Sequence, residues 1–194
     1  PGSDDANAFE VSKADGTAVL TVNTSTVGAN LIGALSVTGN STLTTADNTD
    51  TLTLISTDAD AISGPNLRLY RNSASPADSD KFGQIDFEGR NDNSQDFVGA
   101  QIVVNSGDVS DGTEDAQIEF DVMTAGTLRE YLRMASGSQP SVVFNQDSRD
   151  IDFRVLSDNA DPAFFVQGSD GNVGIGTASP QQPLDVRGST TEAT

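Results

Sequence analysis

Ala116-Gln117-Ile118-Glu119-Phe120-Asp121-Val122-Met123 alternates polar and apolar side chains without a break through Ile118, Phe120 and Val122. Successive side chains of a strand point to opposite faces, so this period of two makes a β-strand with one greasy and one polar side. The same period recurs on both flanks. Phe82-Gly83-Gln84-Ile85-Asp86-Phe87 sets Phe82, Gln84 and Asp86 on one face and Gly83, Ile85 and Phe87 on the other. Phe97 to Val104, Ser141 to Asn145, Ile151 to Val155 and Ala163 to Val166 read as further strands. Polar, Asp-rich turns separate them. Thr127 to Met134 is the one run with helical spacing, at Leu128, Tyr131 and Leu132. It is short and also alternates, so it is assigned as a strand.

Composition agrees. Of the 29 acidic residues 23 are Asp, a residue of turns, and only 6 are Glu, a residue of exposed helices. Val, Ile and Thr together number 43, and Gly 18, which suits short strands joined by tight turns. Toward the N-terminus, Ala14-Asp15-Gly16 between alternating runs reads as a hairpin turn. Leu31 to Leu43 and Thr51 to Ile55 read as short strands. Pro1-Gly2-Ser3 reads as the scar of a cleaved tag. The fold class expected is all-β.

What is absent narrows the function. With no His and no Cys, His-based acid–base catalysis, thiol nucleophiles and the usual zinc ligands are excluded. A net charge of −19 argues against nucleic acid and against anionic membranes as partners. No stretch approaches the ~18 apolar residues of a membrane span. Leu, Ile, Val and Phe total only 45 of 194 residues, a thin core for one chain. Either the domain is marginal or its core is completed by another copy of the chain.

The motifs weigh mostly toward structure. Gly174-Ile175-Gly176 lacks the third Gly, the opening helix and the downstream acid of a dinucleotide site, so its glycines serve close backbone approach. The cluster Asp108, Asp111, Gly112, Glu114 and Asp115 lacks EF-hand spacing and reads as a solvated turn. No metal and no cofactor are expected. A pair of carboxylates acting as glycosidase acid and base is the only enzymatic route that the composition readily permits. Candidate receptor contacts are Tyr70, Asn91, Asp92, Asn93, Gln95, Phe97, Asp111 and Glu114, in and beside the middle turns. Tyr70, Tyr131 and Phe97 are the candidate sugar-stacking aromatics; Tyr131 reads better as a core cap, and Phe97 stays open between the two roles.

Asp170-Gly171-Asn172-Val173-Gly174-Ile175-Gly176-Thr177-Ala178-Ser179-Pro180, followed by Leu184-Asp185-Val186-Arg187-Gly188, resembles a segment recurrent in bacteriophage tail fibres and tailspikes. There it often precedes an intramolecular chaperone domain of the endosialidase type. Gly171, Val173, Gly174, Ile175, Gly176 and Pro180 carry the match. Leu35 to Asn40 and Thr49 to Leu54 are similar to fibre-shaft phrases, and Leu67 to Pro76, Gly83 to Phe87 and Asp111 to Asp115 to a β module of marine phage fibres. The chain stops at Thr194, short of any chaperone domain, through an artificial boundary or self-cleavage.

The resemblance implies an elongated homotrimeric fibre: an intertwined shaft plus a β-sandwich-like or β-prism-like middle part. On this reading residues 4–65 form a shaft-like β-hairpin segment, 66–135 a middle β domain and 136–194 a C-terminal β segment. The expected role is structural and host-recognising, in the virion's tail fibre, without enzymatic activity. The partners are two further copies, other tail proteins, and a host cell-surface glycan or outer-membrane protein. The rivals are a tailspike depolymerase fragment with paired carboxylates and a bacterial trimeric surface adhesin.

Overall fold

The alternating runs need partners, because a lone strand leaves its backbone N–H and C=O groups unpaired. In the computed structural model, which describes residues 35–158 and 160–188, they find them in two sheets. The chain divides into two units, Pro1–Pro65 and Asn66–Thr194, and both sheets lie in the second. β1 (Lys81–Arg90), β2 (Asp96–Asp108), β3 (Asp115–Thr124), β4 (Thr127–Ala135) and β5 (Ser141–Phe144) form a five-stranded antiparallel meander. β6 (Phe153–Ser157), β7 (Ala160–Val166), β8 (Val173–Ile175) and β9 (Leu184–Val186) form a second sheet, antiparallel except for the β8–β9 pair. No helix occurs among the described residues, so the protein is all-β. Thr127 to Met134 is indeed strand, within β4.

Register carries the alternation across the whole first sheet. Ile85, Ile102, Phe120, Leu132 and Phe144 are successive cross-strand partners, one residue from each strand. Beside them runs Gly83, Val104, Ile118, Met134 and Val142. The opposite face carries Gln84, Val103, Glu119, Arg133 and Val143 in one row and Asp86, Gln101, Asp121 and Glu130 in the next. A one-residue slip would exchange the two faces entirely, so the pattern fixes the register. Register shifts at Phe82 and Tyr131, where one strand gains a residue, are absorbed without breaking the rows.

The second sheet repeats the scheme. Val155, Phe164, Ile175 and Val186 form one apolar row, and Phe153, Val166, Val173 and Leu184 another. The reverse face carries Arg154, Phe165, Gly174 and Asp185. Phe153 joins the two sheets. Its ring lies 4.8 Å from that of Phe144, at the edge of the first sheet, and 6.1 Å from that of Phe164 in its own. An apolar row of each sheet is thus linked to the other through these rings.

The described residues 35–80 contain no strand. This corrects the reading of Leu31 to Leu43, whose described part begins at Leu35, and of Thr51 to Ile55 as strands: their alternation is present, but no described segment pairs with them. Short side chain–backbone turns shape this stretch instead, with Asp47 accepting from Thr49 N at 3.0 Å and Asp60 from Ile62 N at 2.8 Å. The Ala14 to Gly16 hairpin lies outside the described residues.

Among the described residues the buried hydrophobic side chains are Val103 and Phe165, 0 % and 3 % exposed. Val103 lies on the polar face between Gln84 and Glu119, at the centre of the first sheet. Phe165 lies on the reverse face of the second, with the Arg154 guanidinium 5.9 Å from its ring. Truncating a fully buried Phe removes its transfer energy and leaves a cavity. Phe165→Ala should therefore cost about 3–5 kcal/mol, read as a lower denaturation midpoint in urea with an unchanged slope.

Candidate functional site

The strand ends hold the candidate contacts, and the meander sorts them into two groups. The β1–β2 turn, 91–95, and the β3–β4 turn lie at one end of the first sheet. The β2–β3 turn, 109–114, lies at the other. β2 has 13 residues, so roughly 40 Å of strand separates the two groups.

At the first end Asn91 organises its turn. Its Oδ1 accepts from Asn93 N at 3.0 Å and Gln95 N at 2.9 Å, while its Nδ2 donates to Gln95 Oε1 at 3.0 Å. The amide serves here with an acceptor oxygen and a separate donor nitrogen, which a carboxylate of the same shape could not supply. Arg90 Nε pairs with Asp96 Oδ1 at 2.7 Å across the base of the hairpin. Asp92 and Asn93 are exposed at the tip. The β3–β4 turn is Ala125-Gly126, with φ of 49° and 79°, the left-handed pair of a two-residue hairpin. It brings Met123 and Gly126 against Asn91 and Phe97, and these four line a cleft of about 310 Å³. An apolar wall of Phe97 and Met123 beside amide groups suits the mixed faces of a sugar.

At the other end the acids are engaged by the turn itself. Asp108 Oδ1 accepts from Ser110 N at 2.7 Å and its Oδ2 from Thr113 Oγ1 at 3.3 Å. The Ser110 N–H holds the Asp108 carboxyl below the usual carboxylate range. Glu114 Oε2 accepts from Gly112 N at 3.1 Å, and Asp78 Oδ1 from Val109 N at 3.1 Å. Asp111 is exposed. Among the described residues no group of three or more carboxylates gathers to hold a metal ion. Tyr70 lines a separate cleft of about 300 Å³ with Leu69, Arg71 and Phe82. The Arg68 guanidinium lies 4.4 Å from the Tyr70 ring, and the Tyr70 hydroxyl donates to Asn72 Oδ1 at 3.3 Å. Tyr131 is half-buried, with its hydroxyl 3.1 Å from Thr124 Oγ1. The structure thus joins Asn91, Gln95 and Phe97, and sets Tyr70, Asp111 and Glu114 apart from them.

The polar face of the first sheet is a ladder of amide–carboxylate bonds. Gln101 Nε2 donates to Asp121 Oδ2 at 2.7 Å, and Asn105 Nδ2 and Gln117 Nε2 both donate to Glu119 Oε1, at 2.8 and 2.6 Å. Glu130, opposite Asp121, is the exception. Its nearest cation, Arg133 Nε, stands at 3.4 Å, without the geometry of a hydrogen bond. Burial pushes its carboxyl above the usual range, and Glu119, Asp121 and Asp147 push the same way against the pull of Arg133.

In the C-terminal motif Gly171 turns the chain at φ 76°, and β8 follows. Gly176 stands at φ 69°, where a Cβ would overlap the carbonyl oxygen of Arg187. At Gly174 a Cβ would overlap that of Thr177. These glycines let the 177–183 loop fold back against its own sheet, with Pro180 buried. Asp185, largely buried, closes the loop by accepting from Gln181 N at 3.1 Å and Arg187 Nη2 at 2.8 Å. The side chain of Arg187 is the main cause of the lowered Asp185 carboxyl pKa.

Met123, Gly126 and Glu130 were not legible as site residues, because each matters only through a neighbour brought by the meander. Met123 and the Gly126 turn do show in the sequence, but only as a strand end and a hairpin. No protein-family model matches the chain, and comparison with the curated proteins found no match.

Two outcomes follow from this geometry. Gly176→Ala should cost about 2 kcal/mol or more, through left-handed backbone and the Arg187 carbonyl together, measured by chemical denaturation. Folded Glu130 holds its proton more tightly than an unfolded glutamic acid, so it subtracts stability as pH rises from its ordinary value of 4.5 through its raised one. Glu130→Gln should raise the thermal midpoint at pH 7, and the gain should shrink toward zero when the pH falls below 4.5.

Proposed function

We propose that this chain is part of a bacteriophage tail fibre, a homotrimer that adheres to the host cell surface. The observation that carries the reading is the imbalance between what is buried and what is exposed. Two hydrophobic side chains are buried among the described residues, while the apolar rows of the two sheets leave Ile85, Val142, Phe144, Val155, Leu184 and Val186 exposed. Three chains can pool such faces into one core and can pair segments such as 35–55, which pair with no strand among the described residues. The C-terminal motif supports the reading from the sequence side.

Adhesion in this account needs no chemistry. Each trimer presents three copies of the Asn91–Phe97–Met123 cleft, so weak single contacts add up through avidity. Amides would hydrogen-bond hydroxyl groups of a surface glycan, and Phe97 would pack on the apolar face of a sugar ring. An outer-membrane protein is the alternative receptor. Phe97→Ala and Asn91→Ala should each weaken binding of the oligomer to an array of bacterial surface polysaccharides by tenfold or more. Undiminished binding by both variants would place the contact elsewhere.

One observation favours a second reading, a depolymerase. Glu130, whose carboxyl pKa burial raises, is the cross-strand partner of Asp121, and a glycosidase works with two such neighbouring carboxyl groups. Release of reducing ends from a bound polysaccharide, abolished by Glu130→Gln and by Asp121→Asn, would establish it. Binding without release supports the adhesin.

A further inference from the structure

We infer that the apolar faces of the two sheets are the surface on which copies of this chain meet. The inference rests on the homotrimer reading and assigns its interface. The rows through Ile85 and Phe144 on the first sheet and through Val155 and Val186 on the second are both apolar, and the Phe144–Phe153 ring contact links the two sheets. Phe87 is 56 % exposed, Val142 61 % and Val186 65 %. With ~200 Å² for a large apolar side chain, the exposed fractions over both faces amount to roughly 900 Å². Monomers rarely leave more than a few hundred Å² of contiguous apolar surface in water, and a stable interface takes about 800 Å² from each partner.

The occupant is a second copy for three reasons. First, each chain carries −19, so copies can approach only where no carboxylates face each other. The two central rows of the first sheet and both apolar rows of the second contain no ionisable side chain, whereas the reverse faces carry Asp86, Glu119, Asp121 and Asp185. Second, the charge that leaves like copies this one surface turns an anionic lipid surface away. Third, the face is a sheet several strands wide, which another sheet face covers by interdigitating side chains about 10 Å apart.

The chain has no Cys, so single cysteines report contacts cleanly. Light scattering of the full chain at micromolar concentration should give three times 20.2 kDa. Mild oxidation should link copies of Val142→Cys, on the apolar face, and leave Asp86→Cys, on the reverse face, unlinked. Phe87→Asp combined with Val142→Asp should reduce the mass threefold, and circular dichroism checks that the strands persist. If that variant does not fold, the cysteine pair decides. A threefold mass with Asp86→Cys linked and Val142→Cys unlinked overturns this interface and leaves the trimer standing. A monodisperse monomer overturns the trimer itself, and this inference with it.

Discussion

Five residues, Ile85, Ile102, Phe120, Leu132 and Phe144, stand in line across five strands, and most of the structure follows from keeping them there. The row exists because each strand alternates with period two and the turns hold the register. Moving β1 or β3 by one residue either way would set Gln84, Asp86, Glu119 or Asp121 into the row and strand an apolar side chain on the reverse face. The turn residues are therefore part of the same constraint. Asn91 fixes the first hairpin, Ala125-Gly126 the third, and Asp78, Asp108 and Glu114 satisfy the N–H groups of the second.

The price of that row is an apolar face of which the described residues leave Ile85, Met134, Val142 and Phe144 exposed. Its reverse face is largely satisfied, because amides and carboxylates bond one another over Val103, and Asn105 Oδ1, Glu130 Oε1 and Arg133 Nε are the buried atoms described there without a hydrogen bond. The second sheet solves its own reverse face differently. There the 177–183 loop folds back, made possible by Gly174 and Gly176 and held by Asp185. In each sheet the reverse face holds the buried apolar side chain, Val103 in the first and Phe165 in the second, and the apolar rows touch at Phe144 and Phe153. The proposed self-association would give this arrangement a physical reason.

Much of this was legible in the residues. Period two over Ala116 to Met123 and Phe82 to Phe87 gave the strands and their faces, and the Asp- and Gly-rich stretches gave the turns. The helical spacing in Thr127 to Met134 was a coincidence of composition, overruled by pairing with β3 and β5. The strands read at 35–43 and 51–55 do not form, because alternation says which face a strand would bury and not whether a partner exists. Sites were less legible than strands. Which turns share an end depends on strand order, so Asn91 and Phe97 came together while Tyr70, Asp111 and Glu114 did not. The raised carboxyl of Glu130 depends on burial and on Asp121 across the sheet, which no local pattern displays.

Two methionines report directly on whether the apolar face is covered. Met134 lies in a central apolar row, and Met123 lines the open cleft at the sheet's end. Peroxide oxidation of the native protein, followed by mass spectrometry, reads each thioether separately. Covered faces predict that Met134 oxidises far more slowly than Met123, and that the difference vanishes when the protein is denatured. Equal rates for the two in the native protein would show the face open to water and contradict the account.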